Sequence, residues 1–156
     1  MVTDAINQKG NVDVIFLDFA KAFDKVLHRC MLAKLQAHGI DGQVMRWVAS
    51  WLKGRKQRVC LDGHSSGLVD VLSGIPQGSV LGSLLFLIFI NDLEDDIMSM
   101  ILKFADDTKI FRKVTSATDG VQLQQDLNRL CDWSEKWQME FNVAKCKTMH
   151  TRQWEY

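Results

Sequence analysis

Two adjacent carboxylates, Asp106 and Asp107, lie between two segments of strand-forming residues, 98–103 and 108–111. Both flanks are rich in apolar and aromatic residues, and the polar break between them predicts a hairpin. A carboxylate pair at such a turn suggests a bound metal ion, because hard cations prefer oxygen ligands. Asp is also a favoured turn residue, so the pair alone is more often a turn than a metal site.

A third carboxylate, Asp18, follows the apolar segment 12–17, which predicts a strand. If the strands are neighbours, three carboxylates meet at one edge of a sheet. They would repel one another unless cations neutralised them, and oxygen ligands favour magnesium (Mg²⁺) or manganese. Two such ions can stabilise both the attacking and the leaving oxygen of a phosphoryl displacement, so nucleotidyl transfer is the natural chemistry. Read alone, Asp18 is equally suited to capping the turn or helix that follows.

The remaining segments predict the elements that must position these acids. Segment 80–92 is apolar nearly all round, which predicts a buried helix with Ser79 as its N-cap. Asp41 can cap another helix, and the pattern as a whole predicts an α+β fold, a mainly antiparallel sheet with helices packed on one face. Further helices are predicted at 28–38, from 42 to Gly54 and at 120–137, strands at 58–61 and 68–72 around a loop at 62–67, and a short strand or loop at 142–149.

Length and composition fit one globular domain over residues 1–156, with 47% hydrophobic and 24% charged residues. No apolar run reaches the roughly 18 residues of a membrane helix, and the N-terminus shows no secretory signal. Four widely spaced cysteines without zinc-ligand spacing favour packed thiols in a reducing, intracellular setting. The net charge is zero, but residues 46–58 carry five basic residues and no acidic one, a stripe suited to a phosphate backbone or to a solvated loop.

Four segments together resemble the palm motifs of reverse transcriptases from non-LTR (LINE-like) retrotransposons. Residues 16–26 (FLDFAKAFDKV) resemble the first motif, and residues 73–82, running on to 92, are similar to the second. Residues 104–107 (FADD) match the third motif, and residues 133–146 resemble the fourth. The order and spacing of the four motifs make the resemblance specific over residues 12–149.

The resemblance implies a polymerase palm, part of an RNA-directed DNA polymerase domain. Asp18, Asp106 and Asp107 match the residues that bind two Mg²⁺ or Mn²⁺ ions in the family, and Lys145 matches a lysine proposed to assist the pyrophosphate leaving group. The implied reaction is attack of a primer 3′-hydroxyl on the α-phosphate of a deoxynucleoside triphosphate (dNTP). The partners would be an RNA template, a DNA primer and the dNTP.

Three further residues match family positions around the incoming nucleotide. Phe23 falls where the family has an aromatic side chain beneath the sugar, which disfavours a ribose 2′-hydroxyl. Gln77 matches a residue near the nucleotide and the template, and Gly78 beside it has no Cβ, which allows the backbone to approach a ligand closely. Without the resemblance, Phe23 would be read as a core residue, Gln77 as an exposed turn residue and Gly78 as a turn glycine.

The family pattern also contains parts that this sequence does not show. Fingers motifs normally precede the Asp18 segment and a thumb follows the Lys145 segment, so we expect a palm with fingers and thumb incomplete or absent, dependent on those segments or on another chain. The alternative is an inactive retrotransposon remnant that at most binds nucleic acid or a protein partner. A metal-dependent phosphohydrolase would explain the acids but not residues 74–82. Target-primed insertion in the family implies a nuclear location.

Overall fold

The computed structural model of the protein describes residues 11–151. These residues form two compact units, the first made of residues 11–20 and 92–151 and the second of residues 21–91. The first unit is therefore interrupted in sequence by the whole of the second. Fully buried apolar side chains occur in both units, among them Ile110 and Leu130 in the first and Met31 and Phe89 in the second.

The described elements are α-helices, one 3₁₀ turn and β-strands. The helices are α1 (Ala22–Lys25), α2 (His28–Ala37), α3 (Gly42–Leu52), α4 (Val80–Phe89) and α5 (Ala117–Trp137), with a 3₁₀ turn at Asn91–Glu94. The strands are β1 (Val12–Leu17), β2 (Lys56–Gln57), β3 (Cys60–Leu61), β4 (His64–Ser65), β5 (Val69–Asp70), β6 (Met100–Phe104), β7 (Asp107–Lys113) and β8 (Lys147–Thr151).

The first unit is built on a four-stranded antiparallel sheet with the strand order β6-β7-β1-β8. Along β7, Thr108 and Ile110 are buried whereas Lys109 between them is exposed, as the two-residue period of a strand requires. Helix α5 contacts β7. The predicted α+β fold with an antiparallel sheet is confirmed, and β1 has the bounds expected from the sequence.

Helix α5 begins three residues earlier than its apolar pattern predicted. Its first turn is fixed by Asp119, whose Oδ2 accepts hydrogen bonds from the backbone N–H and hydroxyl groups of Thr115 and Ser116, all at 2.9 Å. The hydrogen bonds, those of Thr115 foremost, lower the pKa of Asp119 to about 2. A Ser-x-x-Asp sequence before a helical pattern was the available signal for this start.

In the second unit, the hairpin between β2 and β5 is tighter than predicted. Lys56–Gln57 pairs with Val69–Asp70, and Cys60–Leu61 pairs with His64–Ser65. The connection is the dipeptide Asp62-Gly63, with φ of 48° and 79°, rather than the predicted six-residue loop. An Asp-Gly pair with both φ angles positive is the preferred two-residue hairpin turn, because its twist matches that of the flanking strands.

Helix α4 corrects another expectation, that of a buried helix reaching residue 92. Ser79 caps it as predicted, since its Oγ accepts a hydrogen bond from Gly82 N at 2.9 Å. The helix ends at Phe89, and Val80, Leu84 and Leu87 are at least half exposed. The other described residues therefore cover only part of the apolar surface of α4.

Two smaller expectations were also wrong. Asp41 lies at the N-cap position of α3, but its side chain makes no capping hydrogen bond. Cys30 and Cys146 are half-buried and Cys60 and Cys131 are exposed, so these thiols are free but not packed in a core. No helix among residues 11–151 is both long and apolar enough to cross a membrane.

Candidate active site

The strand register brings Asp18, Asp106 and Asp107 to the same end of the sheet. Leu17 and Thr108 are the last paired residues of β1 and β7, so Asp18 leaves β1 where Asp107 begins β7. Phe104 pairs with Asp107, which leaves Ala105 and Asp106 as the hairpin turn. Ala105 has a φ of 53°, a left-handed conformation typical of the first central residue of a tight hairpin turn.

The three acids differ in their surroundings. The Asp18 side chain is 21% exposed, and its Oδ2 lies 3.4 Å from Lys145 Nζ. Its Oδ1 is buried and accepts no hydrogen bond from the described residues. Asp106 is half-buried and Asp107 is exposed. A buried carboxylate oxygen without a donor is costly in an apolar setting and is a suitable ligand for a cation.

Among residues 11–151, no three His, Cys, Asp or Glu side chains are grouped so that they could enclose a metal ion. The donor set at this end of the sheet, three carboxylates with one orphaned oxygen, nevertheless has the chemistry that Mg²⁺ or Mn²⁺ requires. The residues present therefore fit such an ion by donor type.

A loop at residues 140–146 holds both Asp18 and Lys145. Asn142 N donates to Asp18 O at 2.7 Å, and Ala20 N donates to Glu140 O at 2.8 Å. Lys145 N in turn donates to Asn142 O at 2.9 Å. The backbone on either side of Asp18 is thus fixed by the segment that carries the lysine.

Aromatic packing supports this loop. Phe19 is 2% exposed, and its ring stacks on that of Phe141 with centroids 4.7 Å apart and planes at 18°. The Trp133 ring lies 6.0 Å from Phe19, and its Nε1 donates to Asp92 Oδ1 at 2.8 Å. The sequence motifs include these segments but predicted no role for Phe19, Phe141 or Asn142, because stacking partners so far apart in sequence carry no periodic signal.

The β6–β7 hairpin is anchored at its other end by a buried acid. Asp126 of α5 is fully buried and accepts hydrogen bonds from Ser99 N at 2.8 Å and Met98 N at 3.2 Å, just before β6. Gln122 and Arg129 also donate to it. Burial raises the pKa of Asp126, but these hydrogen bonds, those of Ser99 foremost, outweigh burial and hold the pKa below its usual value.

Beside Asp107 lies a pocket of about 360 Å³ lined also by Leu102, Lys103, Phe104 and Lys109. The Phe104 side chain is 83% exposed. Lys109 Nζ lies 5.3 Å from the centroid of the Phe16 ring, within cation–π distance. This face of the sheet therefore combines a carboxylate, two cationic side chains and exposed aromatic surface.

Phe23, Gln77 and Gly78 belong to the second unit. Ile75 N donates to Phe23 O at 2.9 Å, which ties the turn carrying Gln77 and Gly78 to the segment carrying Phe23. The Phe23 ring stacks on Phe86 with centroids 4.6 Å apart. Gln77 and Gly78 are exposed. Gly78 has a φ of 83°, and a Cβ there would meet nothing within 4 Å, so glycine is required for its conformation and not for room.

The turn before Gln77 has a more demanding glycine. Gly74 has a φ of 85°, and a Cβ there would lie 2.8 Å from Asp24 Cα and 2.9 Å from Asp24 O. Its N donates to Val26 O at 2.7 Å, and Ser73 Oγ donates to Asp24 O at 2.8 Å. The two backbone segments therefore pack too closely for any side chain at position 74.

An antiparallel sheet with carboxylates at the ends of two neighbouring strands, and a helix in contact with it, agrees with the polymerase palm that the resemblance implies. The match to known families is more specific. A model of the reverse transcriptase (RNA-dependent DNA polymerase) family matches residues 2–156, and the chain belongs to that family.

Relatives in fruit flies agree with this assignment. The chain is 33% identical over 156 residues to the RNA-directed DNA polymerase from mobile element jockey of Drosophila melanogaster, a match that covers 92% of this chain and 16% of the relative. It is 29% identical to the probable RNA-directed DNA polymerase from transposon X-element of the same species, over 97% of this chain and 18% of the relative. The chain thus spans about a sixth of the length of these relatives, and the resemblance to non-LTR retrotransposon enzymes is confirmed.

Solved structures show the same fold at low sequence identity. An apo telomerase from Candida tropicalis, truncated from its C-terminal domain, matches with a TM-score of 0.70 at 10% identity, over 99% of this chain and 34% of the telomerase chain. Telomerase from the same species in complex with a fragment of telomeric RNA matches with a TM-score of 0.66 at 12% identity, over 96% of this chain and 29% of the other. At these identities the likeness concerns the fold alone.

Proposed function

We propose that this chain is the catalytic palm of an RNA-directed DNA polymerase that adds deoxynucleotides to a primer 3′-hydroxyl on an RNA template. The observation that carries the proposal is the strand register, which puts Asp18, Asp106 and Asp107 at one end of the sheet in a member of the reverse transcriptase family. Carboxylates placed in this way suit nucleotidyl transfer.

In this proposal Asp18, Asp106 and Asp107 hold two Mg²⁺ or Mn²⁺ ions. When bound, the ions would activate the primer hydroxyl and neutralise charge on the triphosphate. The orphaned Oδ1 of Asp18 supports its role as a ligand. Loop 140–146 keeps Asp18 in place through Asn142 N, so the ligand does not depend on its side-chain packing alone.

Lys145 acts on the leaving group. Its Nζ is 3.4 Å from Asp18 Oδ2 and its side chain is 65% exposed, so it is anchored beside the acid yet open to a ligand. We assign it the stabilisation of negative charge on the departing pyrophosphate, since a preorganised cation is effective where charge develops.

Phe23, Gln77 and Gly78 shape the nucleotide site. The Phe23 ring, held by its stack on Phe86, would lie beneath the sugar and exclude a 2′-hydroxyl. Gln77 would contact the nucleotide and the template, and Gly78 would let the backbone approach them. The hydrogen bond from Ile75 N to Phe23 O supports a common task, because it joins the two segments directly.

The template and primer would contact the open face of the sheet in the first unit. Exposed Phe104 and Lys109 offer apolar and cationic surface beside Asp107. Such a surface suits sugar and phosphate contacts, which position a duplex without reading its sequence. The work of such an enzyme on a mobile element would take place inside the cell, in the nucleus if insertion is primed at the target.

Primer extension tests the proposal. The chain is incubated with an oligo(dT) primer on a poly(rA) template, dTTP and Mg²⁺ or Mn²⁺, and the wild type is compared with Asp106→Asn. Asp95→Asn is the matched control, because Asp95 is an exposed acid away from the hairpin turn. We expect incorporation by the wild type and by Asp95→Asn, and none above background by Asp106→Asn.

Incorporation by the wild type no greater than that by Asp106→Asn would refute catalysis by these 156 residues. Filter retention of labelled template–primer then tests the alternative. Retention without incorporation would indicate a remnant that binds nucleic acid, whereas neither activity would remove both functions.

A further inference from the structure

Gly74 is held by side chains from two other parts of the second unit. Arg55 Nη2 donates a hydrogen bond to Gly74 O, and His28 Nε2 lies 2.9 Å from the same oxygen. Arg55 Nη2 is also 3.2 Å from His28 Nε2. Arg55 follows the end of α3 and His28 begins α2, so this carbonyl is the meeting point of two helices and a turn.

The guanidinium of Arg55 is used in an unusual way for a charged group. Arg55 is half-buried, and no Asp or Glu in the described chain lies within salt-bridge distance of it. Its donors go to backbone carbonyls, since Nε donates to Leu52 O at 3.1 Å and Nη2 donates to Gly74 O. Burial lowers the pKa of Arg55, a cost that no ion pair with residues 11–151 offsets.

The other basic residues nearby are placed differently. Lys53, Lys56 and Arg58 are exposed, and Lys56 forms an ordinary surface ion pair with Asp70 at 3.6 Å. Arg55 is therefore the member of the 46–58 stripe that the fold turns inwards. A planar guanidinium can bridge two carbonyls in fixed directions, which a lysine cannot do.

The contact between Arg55 and Gly74 O fixes the turn that carries Gln77 and Gly78. A hydrogen bond from Ile75 N to Phe23 O joins the turn to Phe23, and one from Gly74 N to Val26 O joins it to Val26. Gly74 has no side chain with which to anchor itself, so it is held through its backbone N, by Val26 O, and through its carbonyl, by Arg55 and His28. Loss of the Arg55 contact would leave the Gly74 carbonyl with His28 as its remaining side-chain partner among the described residues, in a turn whose other end begins α4.

We infer that Arg55, with His28 beside it, is a positioning residue for the turn of the second unit that carries Gln77 and Gly78, the proposed nucleotide-contacting residues. By clamping Gly74 O it fixes Gln77 and Gly78 relative to Phe23. The inference rests on the proposed polymerase function for its kinetic consequence, but the clamp itself is a property of the turn and is measurable without catalysis.

The kinetic arm compares Arg55→Ala with Arg29→Ala. Arg29 lies in the same unit, directly after His28, so its variant removes the same charge without touching the turn. Groups that orient metal ligands contribute 10–100-fold, and by analogy we expect Arg55→Ala to raise the KM for dTTP about tenfold and to change kcat by less than about threefold. Arg29→Ala should match the wild type.

Two further measurements separate positioning from mere folding. Millimolar methylguanidinium added to Arg55→Ala should lower the KM part of the way back to the wild-type value, because the small cation can occupy the vacated site. Arg55→Lys keeps the charge but not the planar fork, and we expect a KM between those of the wild type and Arg55→Ala. If Arg55→Ala does not fold, Arg55→Lys carries the kinetic test alone.

Hydrogen exchange by mass spectrometry tests the clamp independently of activity. We expect faster exchange in peptides covering residues 73–79 of Arg55→Ala, reversed by methylguanidinium, with β1 and β7 unchanged. A KM and an exchange rate equal to those of Arg29→Ala would overturn the inference, as would faster exchange across the whole chain with no rescue. If the wild type proves inactive, the proposed function fails, and the exchange data alone support or refute the clamp.

Discussion

The acid end of the sheet and the Gly74 turn reach a defined geometry in opposite ways. Asp18, Asp106 and Asp107 are placed by strand register, and their side chains stay partly or fully open to solvent. Gly74 is placed by contact between backbones so close that a methyl group does not fit. The difference predicts that substitutions at the acids leave the fold intact, whereas substitutions at the turn destabilise it.

The largest effect that tests this comparison is expected for Asp18→Asn. Because even outer-shell groups at metal sites contribute 10–100-fold, loss of a proposed metal ligand should lower primer extension by more than about a hundredfold. The Lys145 side chain of the ion pair is exposed, and Oδ1 accepts no hydrogen bond from the described residues, so the free energy of unfolding should change by less than about 1 kcal/mol. Urea denaturation and primer extension on the same preparation check both halves, and a large loss of stability would contradict the comparison.

At the turn, Gly74→Ala should have the opposite balance. A strained φ and a clash with the Asp24 backbone together should lower the free energy of unfolding by about 2–4 kcal/mol. Gly39→Ala is the matched control, because Gly39 has a φ of 75° but nothing within 4 Å of its Cβ position. The difference between the two variants in urea denaturation isolates the clash, and equal losses would show that the close approach is unimportant.

A smaller effect is expected at Phe141, which packs beside the acid end of the sheet without being one of the acids. Phe141→Leu removes the stack on Phe19, which should destabilise the chain by about 1 kcal/mol. It should also lower incorporation about tenfold, since Asn142, which holds Asp18 O, is the next residue. Val143→Ala, at an 82% exposed position in the same loop, serves as control. Unchanged activity in Phe141→Leu would show that the register alone places Asp18.

The smallest effect is expected at Asp119, which belongs neither to the acid end of the sheet nor to the Gly74 turn. Its folded pKa of about 2 lies below the ordinary value of 3.8, so its stabilising contribution is complete above about pH 4 and is lost as the pH falls towards 2. Asp119→Asn should therefore lower the thermal midpoint at pH 6. The thermal midpoints at pH 6 and pH 3 should also differ less in this variant than in the wild type. Melting curves at the two pH values test this, and equal pH dependence in both proteins would contradict it.

Local patterns predicted the elements well wherever the signal was contained in the element itself. The period of β1, the break at Asp106 and the cap at Ser79 each depend on a few neighbouring residues, and all three were predicted. The exposure of α4 was not predicted, because an apolar helix does not reveal how much of its surface its neighbours will cover. The tight Asp62-Gly63 turn was present in the sequence but was hidden inside a longer polar segment.

The candidate site was predictable to the extent that it depends on residue type. The acids, Lys145, Phe23, Gln77 and Gly78 came from motifs, and their roles stay predictions. The pairing of β1 with β7 was only an assumption from sequence, because register is decided by the whole sheet. The Arg55 clamp was invisible, since a contact between a side chain and a distant carbonyl leaves no pattern in the residues between them.

The interruption of the first unit by the second has a consequence for how the chain folds during synthesis. Residues 21–91 are continuous and can fold once they have left the ribosome. Strand β1 must wait for β7, about a hundred residues later, and for β8 after that. At roughly 5–20 residues per second, that delay is about 5–20 s, during which the strand that delivers Asp18 has no partner. We therefore expect the carboxylate end to assemble after residues 21–91 have folded, and more slowly than they do.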